Sequence, residues 1–300
     1  MNESRLSRRQ FVKTAAAITA GASVAARMPS AIAKDRRPRV LFFSRAGAYE
    51  PAIVHREGGA LSVSERLMVD MGRQIGVDVE CETNGRVFDG DLQRFDAFVL
   101  FWNYDPTKPN KRGEPPITAQ GQSRLIQSVA SGKGLLGIHC ATYAILSGPQ
   151  LQRQPVEQRD PYVRMLGGEL CEALAKQTCR HRIVSPHFPG VAKLKSPVLT
   201  VTDEPYGQKN LADDIHVIAV DETEGLRGKT FPRPPFPSIW ARRHERGRVF
   251  YVSLGHDEDT WRTEAFQSIV LGGLDWVLGR VDADLTPNLT AAAPGAQDKP

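Results

Sequence analysis

The 300-residue chain carries a formal charge of +5, but its first 33 residues hold five basic side chains against Glu3 and so account for +4 of it. The remaining stretch of about 267 residues is near neutral at +1, which gives no electrostatic reason to expect nucleic acid or an anionic membrane as partner. That length suffices for one large α/β domain or two small ones, and no later segment is long and apolar enough to span a bilayer.

The N-terminus reads as an address. Arg8-Arg9 is followed by Phe11 and Lys13, then by a weakly apolar Ala-rich stretch from Thr14 to Ala26, then by the small-residue site Ala31-Ile32-Ala33. Paired arginines, a short apolar region and a cleavage site in that order predict a twin-arginine signal peptide over residues 1–33. The Tat export machinery is then a partner and the periplasm, or another exported location, the destination. Cleavage leaves no stable membrane span; an uncleaved N-terminal anchor is the rival reading.

Arg39 to Ser44 is an apolar run predicting a buried strand. Ser64 to Gly76 places Leu67, Met68, Met71 and Ile75 on one helical face. Val77 to Cys81 and Asp96 to Trp102 predict further strands, Thr118 to Ser131 a helix, and Gly134 to Ile138 a fourth, wholly apolar strand. Apolar strands alternating with helices predict an α/β fold with a mostly parallel central sheet covered on both faces. The C-terminal half adds strands at Cys179 to Ser185, Val198 to Asp203, Ile215 to Asp221, Ser238 to Arg243 and Val249 to Leu254, then an amphipathic helix from Thr263 to Leu278. Pro106 to Pro116 and Phe231 to Pro237 are Pro-rich loops, and residues 287–300 lack periodicity and are expected to be disordered. The domain proper is thus 34–286. The four cysteines form no C-x-x-C pair, so buried free thiols are expected; Cys171 and Cys179 are near enough in sequence to bridge if geometry permits.

Ligands of open parallel sheets bind beyond the carboxyl ends of the strands. That rule selects His55 in the loop after the first strand, Trp102 and Tyr104 after the third, His139 and Cys140 after the fourth, Glu204 and Tyr206 after the Val198 strand, and His256 with Trp261 after the Val249 strand. A nucleophile elbow needs small residues two positions either side of its centre. Gly137 and Ala141 satisfy this around His139, whereas Ile138 and Thr142 are too large around Cys140. His139 is therefore the elbow residue, and Cys140 is expected to point away. Trp102, Tyr104, Tyr206 and Trp261, with His55, are the candidate sugar-contacting side chains, the aromatic ones by stacking.

Val40 to Ser44, Asp96 to Val99, Gly134 to Thr142, Tyr162 to Glu169, Trp240 to Arg242, Gly247 to His256 and Gly272 to Trp276 resemble the ThuA-like, or trehalose-utilisation, family. The resemblance spans about Arg39 to Pro287. It implies a class I glutamine-amidotransferase-like (flavodoxin-like) fold and a role in disaccharide or keto-sugar metabolism. The residues matching the family's functional positions are His55, His139, Glu204, Tyr206 and His256. The chain departs from the family pattern at Tyr143, at Pro205 and at Glu172, where an aspartate, a tryptophan and a nearby histidine are usual. These readings predict an exported carbohydrate-active protein acting on a disaccharide or 3-keto-glycoside, with His139, His256 and Glu204 as acid–base groups. The same trio offers imidazole and carboxylate ligands to a divalent metal ion, with the acid–base reading without metal favoured over it and no cofactor certain. A non-catalytic sugar-binding domain is the alternative; a hydrolase with a cysteine nucleophile is disfavoured by the elbow spacing.

Overall fold

The computed structural model describes residues 36–47, 49–227 and 234–297. The expected signal peptide lies outside them, as do the first three residues of the expected loop Phe231 to Pro237. The strands are β1 (Arg39–Arg45), β2 (Asp78–Glu82), β3 (Ala97–Trp102), β4 (Gly134–Ile138), β5 (Glu169–Ala173), β6 (Gln177–Ile183), β7 (Val198–Asp203), β8 (Tyr206–Lys209), β9 (His216–Asp221), β10 (Phe236–His244) and β11 (Gly247–Val252). The helices are α1 (Val63–Gln74), α2 (Ala119–Ala130), α3 (Pro161–Leu166), α4 (Glu258–Trp261), α5 (Glu264–Val277) and α6 (Leu289–Ala292).

Nine strands form one sheet in the order β2-β1-β3-β4-β11-β10-β9-β6-β7. The run from β2 to β11 is parallel, and the extra strands of the C-terminal half continue it antiparallel. β5 and β8 pair separately as a short antiparallel ribbon.

Both faces of the parallel half are buried, as its unbroken apolar strands require. Along β1, Val40 and Phe42 join the core under α1 and α5, while Leu41 and Phe43 join the core under α2 and α3. Helix α1 contributes Met68 and Met71 to the first core; Leu125 and Val129 of α2 belong to the second. Ser62 caps α1 through a reciprocal box with Glu65.

One sequence expectation needs correction. Residues 287–297 are not a loose tail: α6 forms, and Leu289, Ala293 and Ala296 are buried in the second core. Asn288 Oδ1 accepts from the Val217 backbone 2.6 Å away, so anchoring contacts rather than periodicity order this segment. The expectation of thiols rather than disulfides holds: none of the four cysteines, Cys171 and Cys179 included, forms a disulfide.

Candidate functional site

β4 ends in a 3-10 turn, His139 to Thr142, and His139 occupies the left-handed region at φ 46°. Such a conformation costs a non-glycine residue roughly 1–3 kcal/mol and persists only where its surroundings over-determine it. Here they do. A Cβ on Gly137 would meet Ala141 Cβ at 3.0 Å and Leu166 Cδ1 at 3.1 Å, which is why small residues flank the elbow. Tyr251 donates its hydroxyl to the His139 carbonyl at 2.8 Å and meets Thr142 Oγ1 at 2.9 Å. The strand-end histidine is thereby held rigid.

Glu204 joins this histidine to His256. Its Oε2 lies 3.2 Å from His139 Nε2 and 3.1 Å from His256 Nδ1. The imidazoles stand edge to face with centroids 5.5 Å apart, and Tyr206 stacks on His139 at 4.2 Å. His139 Nδ1 is 2.6 Å from the Ser253 carbonyl, which can only accept, so that nitrogen carries the proton. His139 Nε2 then faces a carboxylate oxygen. The contact is favourable only if a cation lies between the two atoms: a second proton on the ring, or a metal ion.

The electrostatics agree with a charged pair. Burial opposes protonation of His139, but Cys140, Glu204 and Asp203 outweigh it and raise the ring well above the usual histidine range. Burial would likewise raise Glu204, yet hydrogen bonds from His139 and His256 hold its carboxyl down at about 2. Among the described residues these three side chains form the one group of metal-ligating atoms lying within 4.8 Å of one another. Two imidazoles and a carboxylate are a ligand set that leaves a fourth position open, and a ligating histidine tied through its other nitrogen to a backbone carbonyl is the usual supporting arrangement.

The cluster faces a cleft of about 600 Å³, walled on one side by Leu170 to Ala173 of β5. Tyr104 and Tyr206, expected as ligand contacts, line it. Three other expectations fail. Trp102 is fully buried against Phe43, Phe88 and Tyr162, because strand alternation puts it on one face with Phe98 and Leu100. Trp261 is buried among Phe42, Phe101 and Phe266 and donates Nε1 to the Gly255 carbonyl at 3.0 Å. His55 is exposed beside Glu50, 3.4 Å away, and does not line the cleft. Cys140 does not point away either: it lines the cleft and interacts with His139 and Tyr206. Residues 139–142 turn as a 3-10 helix, so the two-sided alternation of a strand no longer applies.

Sequence reasoning missed Asp203. Its Oδ1 accepts from the backbones of Glu204 at 2.7 Å and His256 at 3.1 Å. Its Oδ2 accepts from Gly255 N at 2.9 Å and Thr260 Oγ1 at 2.8 Å. One buried carboxylate thus clamps both loops that present the cluster. Its place at a strand end, directly before Glu204, was the available signal. Gly255 adopts φ 120° beneath the clamp, where a Cβ would meet Ile138 Cγ2 at 3.0 Å.

The parallel sheet with helices on both faces, and polar residues gathered at its carboxyl edge, define an α/β protein with a strand-end ligand site. The chain belongs to the ThuA, or trehalose-utilisation, family, whose profile matches residues 39–277. No curated protein matches it. Among solved structures, a ThuA-like protein from Bacteroides uniformis has the same fold at 14% identity, covering 83% of this chain and 95% of its own, with a TM-score of 0.58. A second from Parabacteroides merdae gives 14%, 87% and 99%, with a TM-score of 0.54. Family membership carries a carbohydrate-related role.

Proposed function

We propose that this chain is an exported enzyme acting on a disaccharide or 3-keto-glycoside by acid–base chemistry at His139, Glu204 and His256. One observation carries the reading: His139 Nδ1 is committed to the Ser253 carbonyl while its Nε2 faces Glu204 at 3.2 Å, an arrangement that stores a proton at the cleft wall. A keto group at C3 acidifies the C2–H bond. His256, partly exposed at the cleft, takes that proton on Nε2, its Nδ1 being engaged with Glu204; the C–H electron pair forms the C1=C2 bond; the C1–O bond breaks, and the leaving oxygen takes the proton held on His139. Glu204, ionised above about pH 2, is too weak a base to take the proton for itself and serves to hold charge on the ring.

Bound metal is the second reading, favoured by the three convergent ligand atoms and the backbone anchor on His139. His139, Glu204 and His256 would hold the ion, which would polarise a sugar carbonyl or hydroxyl.

Turnover of a 3-keto-glucoside by protein prepared with and without chelator tests both. Metal-free activity lost in Glu204→Gln supports the acid–base reading, and activity restored only by zinc supports the metal. Saturable sugar binding with no turnover under either condition establishes the non-catalytic alternative. The export part is tested separately. Arg8→Lys with Arg9→Lys is expected to keep the protein cytoplasmic, and wild-type periplasmic accumulation of that variant refutes it.

A further inference from the structure

The cleft has two chemically different zones. Its inner wall carries His139, Glu204 and His256, and Asn103 lines the same cleft, its Oδ1 buried without a hydrogen-bond partner. The rest of the lining is largely apolar and includes Ile53, Val54, Phe101 and Leu170. Among the described residues six large hydrophobic side chains are exposed, and four of them, Tyr49, Tyr104, Tyr143 and Leu151, line this one cleft. Exposed apolar side chains scattered singly mean little, but their concentration around one concavity marks a binding surface. No described lysine or arginine lines the cleft, and the cationic His139 is already matched by Glu204, so a phosphorylated or carboxylated ligand finds no uncommitted counter-charge there.

We infer that the ligand is a neutral glycoside with a flat aromatic aglycone: the sugar meets the inner polar wall, and the aglycone packs against Tyr49, Tyr104, Tyr143 and Leu151. The inference rests on the glycoside reading above and narrows it. A second sugar ring would bring hydroxyls to aliphatic surface such as Leu151 and Ile53, where they lose water without gaining partners. An aryl group loses nothing there and gains stacking on the tyrosines. The cleft volume of about 600 Å³ admits a two-ring ligand.

Isothermal titration of the wild-type protein with methyl β-glucoside, phenyl β-glucoside and trehalose reads the inference directly. Phenyl glucoside is expected to bind at least about tenfold more tightly than methyl glucoside. Tyr143→Ser combined with Leu151→Ser, both exposed positions, is expected to shrink that difference severalfold, leaving Tyr49 and Tyr104 alone against the phenyl ring. Equal affinity for the phenyl and methyl compounds overturns the aromatic aglycone, as does tighter binding of trehalose, and either result leaves the glycoside reading standing. Failure of all three to bind overturns the aromatic-aglycone inference, and failure of the corresponding 3-keto-glucosides to bind as well refutes the glycoside reading.

Discussion

Two buried histidine–carboxylate pairs in this molecule are made of the same chemistry and end in opposite charge states. In the cleft, His139 and Glu204 approach to 3.2 Å, and Glu204 is 23% exposed. In the antiparallel half, His181 of β6 and Asp221 of β9 are sealed at 1% and 0% exposure and stay 3.8 Å apart, too far for a hydrogen bond. Burial drives His181 down to about 4 and Asp221 well above the carboxylate range, favouring a neutral pair whose Asp221 oxygens have no hydrogen-bond partner. Ser238 Oγ at 3.1 Å is the contact His181 Nδ1 does make. Desolvation therefore wins where the partners do not touch and loses where a half-open carboxylate accepts from two imidazoles. Proximity of His to Asp or Glu is not enough to mark a working pair; hydrogen-bond contact and access to a cleft are also needed.

The largest test of that contrast is catalytic. Glu204→Gln keeps the shape but removes the charge that holds the His139 proton, and is expected to lower turnover by about 10²–10⁴-fold. Asp221→Asn alters a group already favoured neutral and is expected to leave turnover within about threefold. Steady-state rates on one 3-keto-glucoside decide it: comparable losses in the two variants would erase the distinction. Asp203→Asn should fall between them. Its amide nitrogen would face backbone donors where Oδ1 or Oδ2 now accepts, loosening Glu204 or His256, with an expected loss of about 10–100-fold. Thr260→Val removes only one of the four donors and should cost less.

A smaller effect separates the pairs by pH. Glu204 is lowered from 4.5 to about 2, so its stabilisation is complete above the unfolded value and is lost as pH falls from about 4.5 to 2. His181 is lowered from 6.5 to about 4; the unfolded chain takes up that proton first, so this ring makes stability fall between about pH 6.5 and 4, while Asp221, raised well above 3.8, works in the opposite sense because the folded carboxyl keeps a proton the unfolded one has lost. The Glu204 and His181 changes each correspond to at most about 3 kcal/mol. Denaturant unfolding across this range, with chelator present, should show the upper window flattened in His181→Gln and the lower one in Glu204→Gln. His139 has the opposite sign: its contribution is full below the unfolded value and is lost as pH rises through its elevated folded one. An upper window that persists in His181→Gln would remove the sealed pair as its source.

Much of this was legible in the sequence because strand ends are. Apolar runs marked β1, β3, β4 and β11, and the parallel-sheet rule accounts for His139 and His256 at neighbouring strand ends; Glu204 follows β7, at the antiparallel end of the sheet, and is joined to them by the Asp203 clamp rather than by that rule. The elbow centre followed from the sizes of Gly137 and Ala141. Trp102 stands at a strand end but faces the core, because alternation with Phe98 and Leu100 sets the direction of its side chain. β5 and β8 escaped notice since their pairing depends on partners 33 to 40 residues apart, with no periodicity to announce it. The clamp by Asp203 was hidden for a similar reason: three of its donors are backbone N–H groups, which every residue but proline possesses.

Cys140 gives the last and smallest test. It lies against His139 and Tyr206 in the cleft, at the position where a cysteine nucleophile would be suspected. Yet the strained, left-handed position belongs to His139, and the proton-holding contacts run between that ring, Ser253 and Glu204. In the acid–base scheme the thiol forms no bond to substrate. Cys140→Ser preserves its size within a fraction of an ångström and substitutes a hydroxyl that can keep contact with the ring. Turnover is expected to stay within about fivefold, whereas an unactivated serine in place of a working thiolate loses orders of magnitude. Mass spectrometry after a single turnover supplies an independent reading: a covalent sugar adduct on Cys140, or abolished activity in a folded serine variant, would transfer the chemistry from the His139–Glu204 pair to the thiol beside it.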